Sequence, residues 1–397
     1  MKRFFFSVIA LATVAFGCTK SGLLESPSTY ETPIAFEPYA GRAPVTKATI
    51  EGSETIHSGF RVIGLKEDAN GAIMNAQLTD PFLHKLVKYD DTQSKWTYSG
   101  AMYWPETEAL TFVAYGLNVN GTPEEATDSE NNNAYIAGDA KPGTKFVQGG
   151  DYVSYTYNVG ATAAEHKDLV ISPAMRNCTS ADASGTADGD TKAATVNVKL
   201  YHVLSRIGFK LAIENSYTVD GQSQQTSTQP VTINSIRLIG SFINVGSFNL
   251  TSAVSVSGET VEYAAVGGDR TANTSYSLFS DGQSFTYTPT GAETSAHPIY
   301  DTTDDAATNA YDDRYMMIIP GNANPTSGNV KVEVKYTIGT GDETTATLPI
   351  KQPNGAALVF EAGKAYEFIL TVSNVAVGFN VEVSEWIPAN DTENDLN

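Results

Sequence analysis

The histidines of this sequence, which are the side chains best suited to acid–base chemistry near neutral pH, stand far apart. No two of the five histidines lie within four residues of each other: His57, His84, His166, His202 and His297. The sequence has no His-Glu-x-x-His zinc helix, no Walker phosphate loop and no Gly-x-Ser-x-Gly nucleophile elbow. A catalytic triad is defined by geometry rather than spacing, so an exported hydrolase with a site built from distant residues stays a minor hypothesis. We expect no enzyme activity and no cofactor.

Carboxylates are dense in two polar segments. Asp188 and Asp190 flank a glycine, and five more aspartates lie close together: Asp301, Asp304, Asp305, Asp312 and Asp313. Oxygen ligands at this density could hold Ca²⁺, but neither segment has the spacing of an EF-hand with its central glycine and terminal bidentate glutamate. Solvated acidic loops are therefore the favoured interpretation, and no metal site is predicted.

Aromatic side chains are the remaining candidates for a binding site. Trp96-Thr97-Tyr98 and Tyr103-Trp104-Pro105 bring two tryptophans and two tyrosines close together in the sequence. An exposed row of such rings could stack on sugars, whereas rings on paired strands of a sandwich usually fill the core. We favour the core and keep a sugar-stacking platform at Trp96 or Trp104 as the alternative.

The charge of the chain argues against one class of partner. There are 45 acidic and 25 basic residues, and loss of Lys2 and Arg3 with an N-terminal signal would leave 23 basic residues and a net charge of −22. Binding to nucleic acid needs lysine and arginine on the phosphates, so we expect no nucleic-acid partner. Such a charge favours solubility instead.

The N-terminal residues predict export. Lys2 and Arg3 precede a run from Phe4 to Phe16 that is apolar apart from two residues, and this run is shorter than the ~20 residues of a membrane-spanning helix. Residues 1–17 are therefore predicted to be a secretory signal peptide. The run ends in Ala15-Phe16-Gly17-Cys18, which resembles a bacterial lipobox, so Cys18 is the predicted lipidation site.

Alternating apolar residues are the main structural signal. Near the C-terminus, Val377, Phe379, Val381 and Val383 recur with the period of a half-buried strand. Between such segments lie polar turn formers. Single helical turns are expected only at residues 161–167 and 202–207, so the pattern predicts an all-β protein of the β-sandwich type. Other segments with strand character are 60–65, 110–115, 152–157, 196–200, 207–213, 233–239 and 330–336.

A small, polar segment divides the chain. Residues 179–195 have no apolar face to bury, which is typical of a linker or an exposed loop. We therefore expect an N-terminal domain over residues 48–195 and a C-terminal domain over residues 196–397, each large enough for its own core.

Several motifs, taken in their order and spacing, resemble Bacteroidales fimbrillins, the FimA- and Mfa-like subunits of type V pili. Ile34-Ala35-Phe36-Glu37-Pro38-Tyr39 and Val45-Thr46-Lys47-Ala48-Thr49 are similar to the prosegment of that family. The other motifs span both domains of the family and occupy residues 96–98, 103–105, 110–115, 202–209, 363–370 and 383–386.

The resemblance implies two tandem transthyretin-like β-sandwich domains with Greek-key-type connections. It also implies a lipidated prosegment over residues 18–47, which a trypsin-like protease at the outer membrane removes after Arg42 or Lys47. A strand from a neighbouring subunit would then fill the groove that the prosegment leaves. The candidate donor face is Val377, Phe379, Val381 and Val383, although this strand could equally complete its own domain.

The sequence favours two functions. The first is a structural subunit of a cell-surface fimbria that mediates adhesion, with other pilin subunits and a host or bacterial surface receptor as partners. The alternative is a monomeric outer-membrane lipoprotein that binds surface glycans. Stalk, tip and anchor subunits of a pilus share these features, so the sequence leaves the position in the pilus open.

Mass spectrometry of the native N-terminus tests the predicted export and processing. We expect a precursor that begins at acylated Cys18 and, where a trypsin-like protease has acted, a chain that begins at Ala43 or Ala48. A membrane-bound chain that still begins at Met1 would contradict the prediction.

Overall fold

The fold is described from a computed structural model. It describes residues 33–40, 43–44, 59–66, 85–90, 92–93, 95–100, 102–105, 109–118, 145–146, 154–166, 168–179, 195–213, 216–219, 222–225, 229–257, 260–268, 270–289, 296–299, 315–321, 330–350, 358–372 and 377–385.

Nearly every element within these residues is a strand. A 3-10 helix occupies Ala163–Glu165. The strands in chain order are β1 (Ala35–Ala40), β2 (Ala43–Pro44), β3 (Phe60–Lys66), β4 (Lys85–Asp90), β5 (Lys95–Thr97), β6 (Leu110–Asn118), β7 (Lys145–Phe146), β8 (Ser154–Asn158), β9 (Asp168–Ile171), β10 (Met175–Cys178), β11 (Thr195–Val198), β12 (Tyr201–His202), β13 (Ser205–Ile213), β14 (Ser216–Val219), β15 (Gln222–Gln225), β16 (Val231–Ile243), β17 (Val245–Asn249), β18 (Val254–Ser257), β19 (Thr260–Tyr263), β20 (Arg270–Ser277), β21 (Phe285–Tyr287), β22 (His297–Pro298), β23 (Tyr315–Ile318), β24 (Lys331–Ile338), β25 (Thr344–Pro349), β26 (Lys364–Val372) and β27 (Val377–Glu385).

The first half of the chain, here β1–β11, contributes to three stacked sheets, one of which also includes β17. The central sheet has the order β12-β9-β6-β3-β4-β5, and β10 pairs with β6. Alternate residues of its strands belong to two cores: Val62 and Phe112 face the sheet β11-β1-β2, whereas Ile63 and Val113 face β8 and β17 of the sheet β17-β8-β7. Burial on both faces explains why β3 and β6 are rich in consecutive apolar residues rather than strictly alternating.

In the second half of the chain, here β12–β27, two sheets form a sandwich. The sheet β22-β13-β26-β27, with β23 paired to β13, faces the sheet β20-β16-β24-β25, with β21 paired to β16. Along β16, Ile236 and Leu238 point into the core while Arg237 between them is exposed, which is the alternation of a sandwich strand. The hairpins β14-β15 and β18-β19 lie apart from these two sheets.

Backbone hydrogen bonds join the two halves. β8 of the first half pairs with β17 of the second half from Asn158↔Val245 to Ser154↔Asn249, and the short β12 pairs with β9. Residues 160–166, here called the junction loop, insert Ala163 into the core of the second half. The expected domain boundary between residues 195 and 196 falls inside β11, which pairs with β1 of the first half. Most of the expected linker, 180–194, lies outside the described residues.

His166 fixes the junction loop. Its Nε2 lies 2.9 Å from the carbonyl oxygen of Gly160, and its Nδ1 lies 2.8 Å from the backbone nitrogen of Met317 in β23. Because a backbone N–H can only donate, Nδ1 accepts and Nε2–H donates, which defines a neutral ring. Burial lowers the pKa of His166 to about 4. The side chain can therefore make both bonds only while it is uncharged.

The all-β prediction is confirmed, and each segment with predicted strand character contributes to a strand. The helical turn expected at 161–167 corresponds to the 3-10 helix at Ala163–Glu165. The turn expected at 202–207 is wrong, since strand pairing extends β12 and β13 into this segment. The transthyretin-like arrangement stays a prediction. Among the described residues, no helix has the length and apolar character needed to cross a membrane.

Acid should weaken the fold through His166. The unfolded histidine has a pKa of 6.5, whereas the buried side chain stays neutral down to about pH 4. The unfolded state therefore binds more protons between these values, and the free energy of unfolding falls as the pH drops from 6.5 to 4. This residue should account for a loss of about 3 kcal/mol.

Urea unfolding across this pH range measures that loss. In His166→Gln the glutamine can still donate and accept but does not titrate, so its stability should fall less steeply with acid. Equal pH slopes for the two proteins would contradict the role assigned to His166.

Candidate functional site in the groove covered by residues 33–40

Residues 33–40, here called the leader segment, lie ahead of both predicted cleavage sites. Alternation of the apolar Ile34 and Phe36 with Ala35 and Glu37 favours a strand. The strand it forms, β1, runs parallel to β11 with Phe36 opposite Val196, and its other edge pairs with β2. The leader segment thus supplies the middle strand of the three-stranded sheet that covers one face of the first half.

The backbone of Ile34 is bonded to the segment that carries the aromatic motifs. Its N–H donates to the carbonyl oxygen of Met102 at 2.7 Å. Its carbonyl oxygen accepts a hydrogen bond of 2.6 Å from the hydroxyl of Tyr98. That hydroxyl lies 3.4 Å from the backbone N–H of Met102, which donates to it. Burial raises the pKa of Tyr98, so the hydroxyl keeps its proton and remains a donor.

Two side chains of the leader segment are buried. Ile34 and Phe36 are each 2% exposed. The ring of Phe36 makes edge contacts with Tyr98, at a centroid distance of 5.7 Å, and with Phe112, at 5.3 Å. Burial of two such side chains contributes on the order of 5 kcal/mol of hydrophobic stabilisation. The leader segment is therefore part of the core of the first half of the chain.

The surface beneath the leader segment is apolar. We call it the leader groove and define it by the side chains that share a core with Ile34 and Phe36 at this edge. Trp104 packs edge-on against Phe112 at 5.8 Å between ring centroids, which extends the aromatic floor. The lining side chains are Tyr98, Trp104, Phe112, Val196 and Val198.

The burial of the aromatic motifs bears on the sugar-stacking alternative. Trp104 is 4% exposed, and Trp96 packs between Phe60 and Tyr89 with ring centroids 5.5 Å away from each. The indole nitrogen of Trp96 is buried and makes no hydrogen bond in the described part of the chain. Of the four rings, Tyr103 is the one that is 46% exposed. The core interpretation of the two tryptophans therefore fits this structure, and a platform built on them does not.

The predicted modification sites flank this groove in sequence. Cys18, Arg42 and Lys47 lie outside the described residues, as does most of the expected prosegment 18–47. The residues on either side of Gly41 and Arg42 are described, and Ala40 pairs with Ala43. A cut after either basic residue would separate all of residues 33–40 from the rest of the chain.

The candidate donor strand is β27, which carries Val377, Phe379, Val381 and Val383. Its backbone pairs antiparallel with β26 along its whole length, from Val372↔Val377 to Lys364↔Glu385. β27 is the last strand of its sheet, with no further strand on its outer side among the described residues. In this structure it completes a sheet of its own chain.

The titratable side chains of the described residues include two histidines with close neighbours. His202 Nδ1 lies 2.6 Å from Asp168 Oδ2, and both side chains are buried between β12 and β9. His297 stacks on Tyr287 with ring centroids 3.9 Å apart. His57, His84 and both aspartate-rich segments lie outside the described residues. Within the described ranges, no group of three or more His, Cys, Asp and Glu side chains could hold a metal ion.

Sequence reasoning missed two parts of the leader groove. β11 is the strand that pairs with β1, and its alternating Val196 and Val198 gave a strand signal without indicating a partner. The bond from Tyr98 to Ile34 joins residues 64 positions apart, and nothing in a tyrosine's local sequence predicts such a bond.

Comparison with solved structures finds similar proteins over most of the chain. A fimbrial protein from Bacteroides vulgatus has a solved structure with a TM-score of 0.54 and 15% sequence identity, over 90% of this chain and 100% of that chain. A fimbrial assembly protein from Parabacteroides distasonis gives a TM-score of 0.34 and 13% identity, over 89% of this chain and 97% of that chain. No curated protein sequence matches the chain. The first likeness, at this identity, supports the fold alone.

The family follows from the sequence itself. The model of the fimbrillin-like family matches residues 46–386, which covers both halves of the β-structure and begins just after the leader segment. Since this match spans most of the chain, the protein belongs to the fimbrillin-like family.

Proposed function

We propose that this protein is a structural subunit of a cell-surface fimbria that polymerises by exchange of strands between neighbouring subunits. The observation that carries the proposal is the burial of Ile34 and Phe36, which lie ahead of the two predicted cleavage sites. This segment is part of the core and one cut separates it from the rest of the chain. It can therefore fill the groove until a strand of a neighbouring subunit replaces it.

Loss of the leader segment would create a binding site for a strand. The edge of β11 would lose its parallel partner, and the pockets of Ile34 and Phe36 would open onto Tyr98, Phe112 and Val196. Unpaired backbone N–H and C=O groups beside an apolar groove are the elements of strand addition. An extended segment of a neighbouring subunit restores the ladder and refills the pockets.

The donor that we propose is β27. Burial of Val377, Phe379, Val381 and Val383 in a neighbour would contribute on the order of 10 kcal/mol before ordering costs. In return, β27 must leave β26, with which it pairs over nine positions. Exchange therefore requires that the leader segment has been removed, because only then does the edge of β11 lack a strand.

Export as a lipoprotein supplies the route to the surface. In this proposal residues 1–17 direct secretion, and acylated Cys18 tethers the precursor to the outer membrane. A trypsin-like protease then cuts after Arg42 or Lys47 and releases the subunit into the fibre. An uncut chain would stay tethered as an anchor. Partners are other pilin subunits, together with a receptor on a host or bacterial surface.

Controlled trypsin treatment tests this proposal. The secreted precursor should lose its N-terminal segment, and the trimmed protein should form ladders on a denaturing gel that is run without boiling. Mass spectrometry identifies the new N-terminus.

A matched control keeps the proposal falsifiable. The double variant Arg42→Gln/Lys47→Gln should retain the leader segment and stay monomeric under the same conditions. A trimmed wild-type protein that remains monomeric and binds a polysaccharide would reject the pilin proposal in favour of the glycan-binding alternative.

Removal of the Tyr98 hydroxyl should loosen the leader segment. Tyr98→Phe leaves the Ile34 carbonyl without its 2.6 Å hydrogen bond but keeps the ring contact with Phe36. We expect the free energy of unfolding of the precursor to fall by about 1 kcal/mol, and more if the carbonyl stays buried and unsatisfied.

Urea unfolding of the precursor gives this difference. Tyr103→Phe is the control, because Tyr103 is 46% exposed and its change should alter stability by less than about 0.5 kcal/mol. Equal loss in the two variants would show that the Tyr98 bond does not hold the leader segment.

A further inference from the structure

We infer that the leader segment stands in for β27 of a second copy in one fixed register, with Val377, Gly378 and Phe379 replacing Ile34, Ala35 and Phe36. This inference rests on the proposed strand exchange and adds its register and the pocket that selects that register. In this register the leader segment has the same order of side-chain types as β27, the strand that would enter the groove of a neighbouring subunit.

The two segments share a pattern of side chains. Ile34-Ala35-Phe36-Glu37 and Val377-Gly378-Phe379-Asn380 both place a β-branched residue, a small residue, a phenylalanine and a polar residue in succession. A strand that follows this order puts the first and third residues on one face and the second and fourth on the other. Val377 and Phe379 would then form the same apolar face that Ile34 and Phe36 form in the leader segment.

The ring pocket determines the register. Phe36 fills a space between Tyr98 and Phe112 at ring-to-ring distances of 5.7 and 5.3 Å. Phe379 is the one aromatic residue in β27. A shift by two positions would place a valine in this space and leave a void, which a close-packed core resists. A shift by one would turn the apolar residues to the opposite face.

The backbone favours replacement of the leader segment by β27. Pro38 of the leader segment lies opposite Val198 and has no N–H to donate. Val381 would occupy that position and bring a backbone N–H. The leader segment pairs with β11 at four positions, whereas β27 is nine residues long. The donor strand can therefore extend beyond the stretch that the leader segment covers.

A disulfide cross-link between neighbouring copies tests the register. In β1 the partner of Asn197 is Glu37, and Asn380 takes the place of Glu37 in the proposed register. Adjacent strands lie about 4.8 Å apart, which suits a disulfide. Asn197→Cys/Asn380→Cys, made in a Cys178→Ser background, should form ladders after trypsin treatment that survive boiling without reductant and collapse with it.

The control moves one cysteine along the same face of the strand. In Asn197→Cys/Glu382→Cys the two sulfurs would be offset by two residues, or about 6.6 Å along the strand, which is too far for a disulfide. This variant should form ladders that are lost on boiling. Two results would overturn the register but not strand exchange. One is a control whose ladders resist boiling. The other is an Asn197→Cys/Asn380→Cys protein that forms ladders without boiling but loses them on boiling. Absence of ladders from the trimmed Cys178→Ser parent would reject strand exchange itself, and the register with it.

Discussion

The structure depends on a strand between β11 and β2. Without one, β11 would present unpaired backbone groups over an apolar core that contains Phe112 and Trp104, and no small domain leaves such an edge open at low cost. The leader segment meets this requirement with Ile34 and Phe36. The same requirement makes the segment replaceable, because β-pairing depends on the backbone and on alternate side chains rather than on covalent connection.

The junction between the two halves determines how firmly they are held together when the leader segment is replaced. β8 pairs with β17, and the neutral ring of His166 ties the junction loop to β23. A domain interface made only of side-chain contacts would allow relative motion, whereas a shared ladder and a shared core resist it. Strand exchange at the leader groove would therefore link subunits whose two halves are already held together by the β8–β17 ladder.

The same packing leaves little room for chemistry in the described residues. The two tryptophans that could have stacked on sugars pack in or against the core, where Trp104 contacts Phe112 and Trp96 contacts Phe60. The buried Asp168–His202 pair lies between two strands and stabilises their contact.

The sequence by itself determined the all-β class, because the alternation along segments such as 330–336 and the turn formers between them are local properties. The alternation near the C-terminus also indicated the candidate donor strand, whereas the separable N-terminal segment was implied by the resemblance to fimbrillins. Only the tertiary structure decided that Phe36 lies opposite Val196 and that Trp104 is buried. Pairing between strands about 160 residues apart depends on which edges and faces meet, and a ring on a strand has the same sequence pattern whether it faces the core or the solvent.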